Sequence, residues 1–148
     1  MKLPQGFLFS GINCGIKKDK KLDLGLIYCE DFAKGIGFFT SNVNPSYSVI
    51  WSKKNINNPI KAILVNSGNA NCFSHRSGIK DTQEIMKRLA EELKVKDKNV
   101  LFASTGIIGK ILPKQKIIRA IPILIKNLKK NVKDFSTSIL TTDTFEKV

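Results

Sequence analysis

The sequence predicts an α/β or α+β domain, a mixed β-sheet with helices packed on it. Three observations carry that reading. Apolar runs of strand length recur, filled with β-branched and aromatic residues. Two later stretches repeat apolar residues at helical spacing instead. Their order, four strands followed by helix, strand and helix, calls for layers of secondary structure around one core.

The strand-length runs lie at 24–29 (LGLIYC), 35–40 (GIGFFT), 48–51 (SVIW), 62–66 (AILVN) and 99–103 (NVLFA), separated by clusters of Asn, Ser, Pro, Gly and Lys that favour turns. Between the last two, 79–94 (IKDTQEIMKRLAEELK) places Ile85, Met86, Leu89, Ala90 and Leu93 on one stripe of a helix. Asp81 and Glu84 sit in its early turns, where they complement the helix dipole. The stretch 114–130 (KQKIIRAIPILIKNLKK) is apolar at Ile117, Ile118, Ile121, Leu124, Ile125 and Leu128. Pro122 interrupts it, and a proline removes a backbone donor and clashes with the preceding turn. The expectation is two short helices, the second starting near Pro122, with Lys126, Lys129 and Lys130 at its negative pole. No repeat or linker divides the chain, so residues 1–148 read as a single domain.

At 148 residues and 42% hydrophobic content the chain is long enough for one real core. It contains no apolar run of the roughly 18 residues that a membrane span needs, and MKLPQGFLFS lacks the pattern of a secretion signal, so a cytoplasmic chain is expected. Cys14, Cys29 and Cys72 are odd in number and share the chain with one histidine, His75, which suits neither a disulfide framework nor a zinc site. Cys72 and His75 are close enough for a nucleophile and its base, but no third orienting group is evident, and a thiol beside a loop histidine is the plainer reading.

The net charge of +13 raises the alternative of a small basic nucleic-acid-binding module. Its makeup argues against that: 22 lysines and three arginines are spread along the whole chain, whereas base readout and bidentate phosphate clamps favour arginine.

Packing alone leaves three segments unexplained. In 64–75 (LVNSGNANCFSH) a strand gives way to Asn66, Ser67, Gly68, Asn69, Ala70 and Asn71, which permit tight, hydrogen-bonded turns near a site or within a purely structural loop. In 99–113 (NVLFASTGIIGKILP) a buried strand runs into Ser104, Thr105 and Gly106. Hydroxyl and amide donors converging there suit an oxygen that gains negative charge in acyl transfer. A nucleotide loop fits less well, because Gly106 and Gly109-Lys110 lack the required spacing and Ile111 stands where a hydroxyl should be. The third segment, 139–144 (ILTTDT), could bind an amino acid's polar groups or cap a turn.

Together these residues resemble a known family, the α chain of the bifunctional ornithine acetyltransferase, or glutamate N-acetyltransferase, of cyclic arginine biosynthesis. The landmarks are SGINCGIKK with LDLGLI after it, GFFTSN at 37–42, AILVNSGNANC at 62–72, FASTGIIGKILP at 102–113 and ILTTDT at 139–144, in family order over essentially all of the chain. NPSYSV at 44–49 and the CFSH that follows NSGNAN depart from the family pattern.

The resemblance implies half of a layered sandwich completed by a β chain. It implies an enzyme that moves acetyl from N-acetylornithine to glutamate, with acetyl-CoA accepted by some members, and that needs neither metal nor cofactor. The precursor would cut itself before a threonine, which becomes the N-terminal nucleophile of the β chain in an α2β2 heterotetramer, its own amine serving as base. The family's oxyanion hole falls on the Thr105 hydroxyl and the Gly106 N–H, and a substrate-contacting threonine falls on Thr141, with Thr142 the alternative. The sequence stops at TFEKV, ahead of the stretch where the family carries lysine, glycine, alanine and the nucleophile. The chain is therefore expected to hold half an active site and to be inactive alone, without nucleic-acid or membrane partners.

Overall fold

A computed structural model describes residues 2–74 and 77–143. The elements run β1 (Phe7–Ile12), β2 (Leu24–Lys34), α1 (Tyr47–Asn55), β3 (Pro59–Asn69), α2 (Gly78–Leu93), a short 3-10 turn (Asp97–Asn99), β4 (Val100–Ile107), α3 (Lys114–Lys126) and α4 (Lys133–Ser138). The sheet order is β1-β2-β3-β4. The first two junctions are antiparallel and β3 pairs with β4 in parallel. That parallel pair needs a crossover, which α2 supplies. The result is the mixed sheet with packed helices that the sequence predicts.

One face of the sheet presents Leu24, Leu26, Ala62, Leu64, Val100 and Phe102, all 2% exposed or less, and the apolar stripes of α2 and α3 close over it. From the helices come Ile85, Met86 and Leu89, and Ile117, Ile121 and Leu124, every one fully buried. The opposite face is covered only at one end. There α4 lies so close that a Cβ on Gly11 would sit 2.0 Å from the Asp134 carbonyl oxygen, and one on Gly25 would sit 2.4 Å from Ser138 Oγ. Beyond it Ile27, Ile63 and Val65 stay half-buried and Ala103 is exposed.

Several local expectations are corrected. The 48–51 segment is helix α1 rather than a strand: Ser46 caps it by accepting the Val49 N–H at 3.3 Å, and Ser48, Trp51, Ser52 and Asn55 bury one helical face. Tertiary placement overrides the β preference of Val49 and Ile50. The 35–40 segment forms no regular element, and Ile36 and Phe38 are exposed. The 114–126 stretch is one continuous helix with Pro122 inside it. Pro122 faces outward, and Ile117, Ile121 and Leu124 on either side of it belong to one buried stripe. Burial worth ~2 kcal/mol per side chain outweighs the roughly 3 kcal/mol cost of the proline. β1 and α4 had no counterpart in the sequence reading.

Candidate active site

The β4 strand lies at the sheet edge, so every second backbone group points away from β3. Over its first half α1 takes up those groups. Trp51 Nε1–H donates to the Val100 carbonyl at 2.9 Å. Ser52 Oγ donates to the Phe102 carbonyl at 2.7 Å and accepts the Phe102 N–H at 2.9 Å. The backbone groups of the even-numbered residues of β4 therefore point off the free edge of the sheet. The Ala70 N–H bonded to the Ile107 carbonyl at 3.0 Å fits the same alternation on the inner side. Past the end of α1, this parity turns the Gly106 N–H off the free edge of the sheet.

Gly106 pairs with Gly68 and Thr105 with Ser67. The two strands approach so closely that a Cβ on Gly106 would meet the Gly68 carbonyl carbon at 2.4 Å and the Asn69 nitrogen at 2.5 Å. Gly106 has φ +131° and Gly68 φ +95°, conformations that favour glycine. Side-chain hydrogen bonds brace the amide-rich stretch. Asn66 Nδ2–H donates to the Asn69 carbonyl at 2.9 Å, Asn69 Oδ1 accepts the Asn71 N–H at 2.8 Å, and Asn71 Nδ2–H reaches Thr82 Oγ1 on α2 at 3.0 Å.

A cleft of about 810 Å³ opens beside this pair. Thr105, Gly106, Gly68 and Asn69 line one side, and Thr141 and Thr142, exposed beyond α4, line it as well. The structure thus brings together the residues singled out in all three segments. The end of ILTTDT at Thr144 and the Cys72 and His75 pairing lie outside the described residues. Among the described residues no group of three or more His, Cys, Asp or Glu could hold a metal, and no helix is long and apolar enough to cross a membrane.

The rest of the cleft is cationic. Lys17, Lys18, Lys21, Lys110 and Lys116 line it against the single carboxylate of Asp19. Its loop, 13–18, is held by the fully buried carboxylate of Asp23, which accepts the N–H groups of Cys14 (2.7 Å), Ile16 (2.6 Å) and Lys17 (2.9 Å). Burial, and then the Asp23 charge, push the Cys14 thiol well above the usual range. Burial also lowers Lys17, against the pull of Asp23. Lys114, at the start of α3, bridges Asp81 and Glu84 at 2.7 Å each, fastening the end of the 108–113 loop to α2. The hydrogen bonds that Lys114 donates to those carboxylates raise its pKa. The sequence reading missed both Asp23 and Lys17. An aspartate just before an apolar strand, following a run of lysines, carried no signal of burial.

The ArgJ family profile matches residues 8–148 of this sheet-and-helix domain. The chain belongs to that family. It is 39% identical, over 99% of its length, to the arginine biosynthesis bifunctional protein ArgJ of Caldanaerobacter subterraneus subsp. tengcongensis. It is 42% identical, over 95% of its length, to ArgJ 2 of Clostridium acetobutylicum. The chain spans 37% of the length of each of these two relatives. Among solved structures, ArgJ of Bacillus halodurans superposes with a TM-score of 0.88 at 32% identity, over 95% of this chain and 75% of that one. The ornithine acetyltransferase of Mycobacterium tuberculosis complexed with ornithine superposes with a TM-score of 0.90 at 29% identity, over 96% of this chain and 79% of that one.

Proposed function

We propose that this chain is the N-terminal, α portion of a cytoplasmic glutamate N-acetyltransferase of arginine biosynthesis. It supplies the oxyanion hole, and a β chain supplies the nucleophile. The observation that supports this most is the shared cleft: Thr105 and Gly106, at the end of the edge strand β4, line the same cavity as Thr141.

In the first half-reaction the N-terminal threonine hydroxyl of the β chain attacks the acetyl carbonyl of N-acetylornithine, and its own amine takes the proton. The carbonyl oxygen becomes an oxyanion held by the Gly106 N–H and the Thr105 hydroxyl. Collapse breaks the C–N bond, returns the proton to the leaving amine and releases ornithine. In the second half-reaction the amine of glutamate attacks the acetylated threonine, a second oxyanion forms in the same place, and N-acetylglutamate leaves. Thr141 contacts the substrate's polar groups. The lysine-lined wall draws the substrate carboxylates into the cleft.

The half-open sheet face, with Ile27, Ile63 and Val65 only partly covered, suits the β chain, two copies of each making α2β2. The test is to produce the chain with and without a β chain and measure ornithine and N-acetylglutamate formed from N-acetylornithine and glutamate. Product is expected from the assembly and none from the chain alone. An assembly that binds both substrates and transfers nothing would overturn the reading. Replacing N-acetylornithine by acetyl-CoA in the same assay shows whether a second donor is used.

A further inference from the structure

Lys17 is committed to the protein more than to the solvent. Its backbone N–H is fixed by Asp23, and a Cβ on Gly68 would meet its stem at 3.1 Å (Cγ), so the stem lies over the glycine that backs Gly106. The ammonium group donates to the Leu22 carbonyl at 2.9 Å and, from the far end of the chain, to the Leu140 carbonyl. Leu140 immediately precedes Thr141. A second tie runs parallel to the first: Ser67 Oγ–H donates to the Ser138 carbonyl. Three separate segments, the 13–18 loop, the end of β3 and the 138–142 segment, thus meet at one lysine in the cleft wall.

We propose that Lys17 is a positioning residue: it latches the 139–142 segment across the cleft, so that Thr141 stands at a fixed distance from the Thr105 and Gly106 donors. A hydrogen bond from a charged donor to a carbonyl is stronger than a neutral one, and the buried Asp23 keeps the whole loop from giving way. The desolvation that lowers Lys17 reflects this enclosure. Without the latch, the Ser67 tie still anchors Ser138 and the Leu140 N–H still reaches the Thr137 carbonyl at 3.3 Å, but the segment loses its tie to the 13–18 loop.

The consequence for substrate binding rests on the acetyltransferase reading, whereas the latch itself does not, and the experiment separates the two. In the assembled protein, hydrogen exchange of residues 139–143 is compared between wild type and Lys17→Met. The variant is expected to speed exchange there by about tenfold or more while β3 and β4 change less than about twofold. In the transfer assay it raises KM for N-acetylornithine about tenfold with kcat within about threefold, and Lys17→Arg recovers part of the loss. That KM effect disappears in a Thr141→Ala background, because both changes remove one interaction. Unchanged exchange at 139–143, or KM effects that simply multiply, would overturn the proposal. Should Lys17→Met not assemble, Lys17→Gln keeps the stem over Gly68, falls short of Leu140 and carries the same comparison. A wild-type assembly without transfer activity would sink the acetyltransferase reading, and the exchange measurement would then decide the latch alone.

Discussion

Replacing Gly106 by alanine tests whether the close approach of β3 and β4 creates the donor geometry. The new methyl carbon would sit 2.4 Å from the Gly68 carbonyl carbon, 2.5 Å from the Asn69 nitrogen and 2.7 Å from the Gly68 Cα. All three are backbone atoms of the neighbouring strand, so no side chain can rotate away. Gly106 also holds φ +131°, where an L side chain is strained by about 1–3 kcal/mol. Forcing the strands apart adds a further ~1–3 kcal/mol. The sum, about 2–6 kcal/mol, is a large fraction of the roughly 5–15 kcal/mol that holds a domain together.

Gly6→Ala is the internal control, since Gly6 has φ +76° and nothing within 4 Å of the added carbon, and so reports backbone strain alone. Gly68→Ala falls between, because its nearest neighbours at 3.1 Å are the side chains of Ile16 and Lys17, which can shift. Urea unfolding of the assembled protein reads the series, with Gly106→Ala expected to lose the most and to depress transfer activity as well. Equal losses for Gly106→Ala and Gly6→Ala would refute the close-approach argument.

The remaining predictions concern the supports of the site. Ser52→Ala leaves both the N–H and the carbonyl of Phe102 without their side-chain partner, and a loss of about 2–4 kcal/mol is expected in denaturant unfolding. A loss under about 0.5 kcal/mol would mean that the edge of β4 does not depend on α1. Cys14 resists alkylation in the folded protein through pH 9, because burial and Asp23 raise its pKa. The sign for stability follows: above the ordinary thiol pKa of about 8.5 the unfolded chain releases a proton that the folded chain keeps, so stability falls as pH rises. Labelling of Cys14 as fast as in the unfolded chain would contradict this.

The fold class was legible in the sequence, because strand-length and helix-length apolar runs alternate along it. Thr105, Gly106 and the Asn66–Asn71 run are conspicuous because hydroxyls, amides and glycines follow apolar runs there, and Gly68, Asn69, Thr105, Gly106 and Thr141 line one cleft. The misread elements share a physical cause, namely that tertiary contacts outweighed local preference. Val49, Ile50 and Trp51 look like a strand, yet Ser48, Trp51, Ser52 and Asn55 are the residues that bury, and two of them serve the edge of β4. α4 has only six residues and settles on Gly11 and Gly25, a docking place visible only once the sheet exists. Pro122 is tolerated because a continuous apolar stripe spans it. Asp23 and Lys17 act through carbonyls and amides far away in sequence, which no local pattern encodes.

The measurement that bears most directly on the central claim is the rate of acetylation and deacetylation of the β-chain threonine when Thr105 is changed to alanine. With the Gly106 N–H left as the only donor, both steps are predicted to slow by about a hundredfold or more with KM little altered, and Thr105→Ser, which restores the hydroxyl, to recover most of the rate. A Thr105→Ala enzyme that acetylates and deacetylates at the wild-type rate, or that loses activity only through KM, would contradict an oxyanion role for this pair.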